Sequence, residues 1–134
     1  MEERVSWSRT TALPVDIVSA SLAREFVGKH LGEHGSPHLV EDVQLVVSEL
    51  ATNAVVDART PFVVILEAIE TSVLLTVQDG STAAPRLAAT PYLDSGGRGL
   101  FLVQMLCRDW GVRMDAEGGK AVWASFETGD GATD

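Results

Sequence analysis

Apolar positions recur every three or four residues across 37–58, so that Val43, Val46, Val47, Leu50 and Ala54 fall on one stripe of an α-helix. Ser36 is a candidate N-cap for it, and Pro37 sits in the first turn, where its missing N–H costs nothing. Upstream, residues 15–31 place Val15, Val18, Leu22, Phe26 and Val27 at helical spacing, and Gly32, Gly35 and Pro37 mark the expected stop. Residues 4–12 alternate instead and predict a strand. Two β-rich runs, PFVVILEAI at 61–69 and SVLLTVQD at 72–79, are separated only by Glu70-Thr71. That predicts a hairpin, although neither residue belongs to the favoured turn set. Helical spacing returns at 100–107, and strands are expected at 109–115 and 120–127. The order β-α-α-β-β-loop-α-β-β, with locally paired strands, predicts an α/β two-layer sandwich. Its sheet is expected to be mixed and mostly antiparallel, with the helices on one face. Residues 1–128 read as a single domain and 129–134 as a disordered tail.

Charge narrows the functional classes. The chain has 134 residues and a formal net charge of −9, which argues against nucleic acid and anionic membrane surfaces as partners. No window is long and apolar enough for a transmembrane helix, and the first ten residues lack the pattern of a secretory signal. The single cysteine, Cys107, lies in an apolar helical run and reads as a small core residue; the cytoplasm is the expected compartment.

Three stretches carry possible chemistry. In VSELATNAVVDA (47–58), Glu49 and Asn53 lie one helical turn apart at one border of the apolar stripe, and Asp57 continues that side. Two polar side chains so placed can look along the edge of the core into a cleft. In SGGRGLFLV (95–103), glycines and Arg98 directly precede a helix expected near Leu100, and backbone N–H groups there can bind an anion. In LTVQDGS (75–81), Asp79 ends an apolar strand, where it can cap a turn or accept a hydrogen bond from an exocyclic amine.

In this order and spacing, the three stretches resemble the N box and the two glycine boxes of the Bergerat-fold, histidine-kinase-like ATPases. The likeness is strongest to the small bacterial anti-sigma factors that are also serine-protein kinases. It extends over residues 4–127, through LPVDIVSASLAREFVGKHL at one end and RDWGV and GGKAVWASF at the other. The resemblance implies ATP and Mg²⁺ as cofactors, with Asn53 holding the metal. Glu49 would act as the catalytic base toward a serine hydroxyl or water. Asp79 would meet the adenine amine, Gly97, Arg98, Gly99 and Leu100 the phosphates, and residues 80–96 would form a lid. A sigma factor and an anti-anti-sigma protein are the implied partners, and a homodimer the implied assembly. The alternative is a non-catalytic protein-binding module that keeps the fold. Two departures favour it. Asp57 stands where these relatives usually have His, adding either a metal ligand or a charge that repels phosphate. Ala121 stands where Thr is usual.

His30, His34 and His38 are spaced four apart, as metal ligands on one helix could be, but Gly32, Gly35, Ser36 and Pro37 interrupt it. They read as exposed histidines at a helix end. Neither Ser48 nor Ser95 has a neighbouring histidine to suggest a nucleophilic triad.

Overall fold

A computed structural model describes residues 5–81, 95–116 and 118–128, with the backbone alone for 95–100. Two hairpins organise the sheet. Strands β2 (Phe62–Ile69) and β3 (Ser72–Asp79) form the first, and β4 (Asp109–Met114) and β5 (Lys120–Glu127) the second. Strand β1 (Val5–Leu13) adds beside β2, and β5 docks beside β3, giving the order β1-β2-β3-β5-β4. Every pairing is antiparallel, so the expected mixed component is absent among the described residues. Docking β5 against β3 has one consequence for function. It sets Asp79, the last residue of β3, directly opposite Lys120, the first of β5.

Helices cover one face. Helix α1 (Ser19–Glu33) buries Ala23, Val27 and Leu31, one residue per turn. It begins later than the apolar pattern suggests, leaving Val15 and Val18 exposed, and runs through Gly32. The stop is Gly35 at φ +86°: the Ser36 N–H bonds to the Leu31 carbonyl at 2.9 Å, closing a Schellman motif. The helix expected over 37–58 is three segments: a 3₁₀ turn (Pro37–Leu39), α2 (Val40–Asn53) and a π-helical turn (Ala54–Ala58). Ser36 precedes the first of these but makes no side-chain capping bond. In the π turn the Arg59 N–H reaches the Ala54 carbonyl five residues back at 2.8 Å, and Arg59 leaves it at φ +58°. Val43, Val46, Val47, Leu50 and Ala54 are buried, as their shared stripe requires, against the inward residues Val64, Leu66, Val73 and Leu75 of the sheet. Helix α3 (Ser95–Leu106) packs on α2 and buries Val103.

The β4–β5 turn is held against the end of β3. Gly119 has φ +104°, and a Cβ there would stand 2.8 Å from the Asp79 carbonyl oxygen. Both the left-handed backbone and the close approach demand glycine. Gly119→Ala is therefore expected to cost about 1–3 kcal/mol. Gly32→Ala, with nothing within 4 Å of the new methyl inside α1, is expected to gain up to about 1 kcal/mol. Paired urea denaturations of the two variants check the contrast.

Candidate functional site

Helix α2 crosses β3 and carries the first part of the site. Asn53 ends α2 and is only 6% exposed, yet its Oδ1 is buried without a hydrogen-bond partner. A carbonyl oxygen left so costs about 1–3 kcal/mol, which marks it as an acceptor kept for something else. Glu49, one turn earlier on the same side, is half-buried. Asp57 is exposed instead: it lies in the π turn, whose wider winding rotates it off the line that an α-helix would have continued.

Asp79 forms the second part. Its side chain is 3% exposed and that of Lys120 is 2% exposed, and the Lys120 Nζ donates to Asp79 Oδ2 at 2.7 Å. The other oxygen, Oδ1, accepts the Ser81 N–H at 2.8 Å, which is the turn-capping role open to an aspartate at a strand end. Thr60 Oγ1 accepts the Gly80 N–H at 2.9 Å and ties this corner to the entry of β2. A cleft of about 350 Å³ is lined here by Asp79, Lys120 and Ala121 together with Arg113 and Met114. Lys120 is the residue that sequence reasoning missed. The signal was parity: Lys120 shares an inward set with Val122, Ala124 and Phe126, so a charge there needs a buried counter-charge.

The glycine-rich stretch is the third part. Helix α3 starts at Ser95, five residues before the expected start at Leu100, so Gly97, Arg98 and Gly99 belong to its opening turns rather than to a preceding loop. N–H groups in a first helical turn have no partner within the helix and can face an anion. Of the expected lid at 80–96, residues 82–94 lie outside the described residues.

Chemically, the arrangement offers a buried carboxamide oxygen for a hard cation, a carboxylate one turn away, and a helix start for an anion.

A family model described as a histidine kinase-like ATPase domain matches residues 13–126. Among solved structures, the chain is similar to the one described as the crystal structure of the RsbU and RsbW domains of Rv1364c from Mycobacterium tuberculosis, with a TM-score of 0.70 at 19% identity. That match covers 91% of this chain and 32% of the other, so this chain spans about a third of the length of the protein it matches. At such identity the likeness is one of fold. No curated protein matches in sequence.

Proposed function

Because the chain belongs to the histidine kinase-like ATPase domain family, we propose that it binds ATP with Mg²⁺ and serves as an anti-sigma regulatory factor that phosphorylates a serine of an anti-anti-sigma partner. The fold likeness to a protein with an RsbW domain supports this reading. The observation that carries it is the buried, unpartnered Oδ1 of Asn53, which fits an oxygen ligand for magnesium. When bound, that ion would neutralise charge on the transferring phosphoryl group. Glu49 would take the proton of the partner's serine hydroxyl, and bound ATP would supply the phosphoryl group that the serine accepts. Gly97, Arg98, Gly99 and the turn at Leu100 hold the phosphates, and Asp79 faces the base. Asp57, which is exposed, would either add a ligand to the metal or set its charge against the phosphates.

The test has two arms. ATP titrated with Mg²⁺ is expected to bind the wild type. Asn53→Ala is expected to weaken that binding roughly 10- to 100-fold, since a bond to a charged group contributes about 1.5–3 kcal/mol. Binding indifferent to Asn53→Ala sinks the proposal. The second arm follows label from ATP to the partner's serine.

One observation favours the non-catalytic reading. Lys120 and the Ser81 N–H already engage both oxygens of Asp79, and Ala121 adds no hydroxyl beside them. ATP binding without transfer to any partner serine selects that reading.

A further inference from the structure

Helix α1 ends in a second polar cluster, remote in sequence from the stretches that resemble nucleotide-binding motifs. We propose that His30, Glu33 and His34 bind one divalent transition ion of the zinc class. Their i, i+3 and i+4 spacing brings His30 and Glu33 of the last turn of α1 together with His34, the C-cap residue that follows it. One ligand atom from each lies within 4.8 Å of the other two. His30 Nδ1 stands 3.7 Å from Glu33 Oε1, too far for a hydrogen bond. It is close to the separation of two ligands on one tetrahedral zinc, about 3.3 Å for bonds near 2.0–2.1 Å. His30 Nδ1 is also buried and without a hydrogen-bond partner. In the Nε2–H tautomer that nitrogen offers its lone pair to an ion.

The rings are held in place. Phe26 meets His30 edge-on at 4.9 Å, and Trp7 stacks on His34 at 4.4 Å with the planes 18° apart. Two imidazoles and a carboxylate make an N,N,O set suited to zinc, with a fourth position left for water or a partner's group. His38 is not part of it: its Nε2–H donates to the Thr128 carbonyl at 2.8 Å. The carboxylate that completes the set is Glu33, and the histidine spacing alone pointed past it. One group opposes the ion. Arg9 Nη2 lies 3.4 Å from His34 Nε2 and must be displaced or outweighed.

Calorimetric titration of the nucleotide-free protein with zinc is expected to show one saturable ion per chain. Glu33 is exposed, so Glu33→Gln leaves the fold intact; it and His34→Ala are each expected to weaken binding roughly 10- to 100-fold, at least the effect of losing an outer-shell partner. Arg9→Ala is expected to tighten binding, and His38→Ala to leave it unchanged. Cobalt in place of zinc reports the coordination directly by its visible absorption. Absence of saturable binding overturns the proposal. So does affinity that survives both Glu33→Gln and His34→Ala, or that falls equally with His38→Ala.

Discussion

Glu49→Ala is expected to cut phosphoryl transfer to a partner serine by roughly 10²- to 10⁴-fold, the usual contribution of a positioned general base. ATP binding and the fold should both persist. Glu49 sits at the border of the α2 stripe rather than within it, half-buried, so its removal opens no core cavity. The neighbouring turn still presents the Asn53 oxygen. Glu49→Gln keeps the shape of the side chain and removes its basicity, so it should lose transfer as fully as alanine does. If the glutamine variant transfers at the wild-type rate, Glu49 only shapes the cleft. Single-turnover measurements at saturating ATP separate the chemical step from binding and make the comparison clean.

Lys120→Met should have the largest effect on stability, about 3–5 kcal/mol, the cost of breaking a buried ion pair from one side. Asp79 would keep the Ser81 N–H on one oxygen, but its carboxylate would remain buried with no counter-charge. Asp79→Asn with Lys120→Met removes both charges and should recover most of the loss, because the pair itself repays its own desolvation only in part. A double-mutant cycle by urea denaturation measures the coupling. If the single and double variants are equally unstable, Lys120 matters through its stem and not its charge.

The sequence carried much of this architecture because the relevant signals were local. Strands β2 and β3 were legible from alternating and continuous apolar runs, although the link between them breaks the usual turn preference. Glu70 accommodates it by adopting φ +53°. The stripe of α2 predicted its buried residues correctly because one tertiary surface covers it along its length. What was not legible depends on partners far apart in the chain. Nothing near Asp79 announces Lys120, 41 residues away, until the strand order places β5 beside β3. Nor does the spacing of three histidines reveal which of them face one another. That follows from where Gly35 ends α1 and turns His38 toward Thr128. The π turn was hidden for a different reason: its residues, AVVDA, are as compatible with an α-helix as with a wider winding, and tertiary context decided.

That π turn reconciles two independent phases. The phase of α2 is dictated by the apolar residues it buries. The phase of β2 is dictated by Phe62, Val64 and Leu66, which must all point inward. A regular helix running to residue 58 would couple the two rigidly, so any change in the sheet would rotate Asn53. The wide turn takes up the mismatch with one extra residue and acts as a shim between the two elements. Its extra residue lets the apolar stripe of α2 and the inward residues of β2 each keep the phase their packing requires.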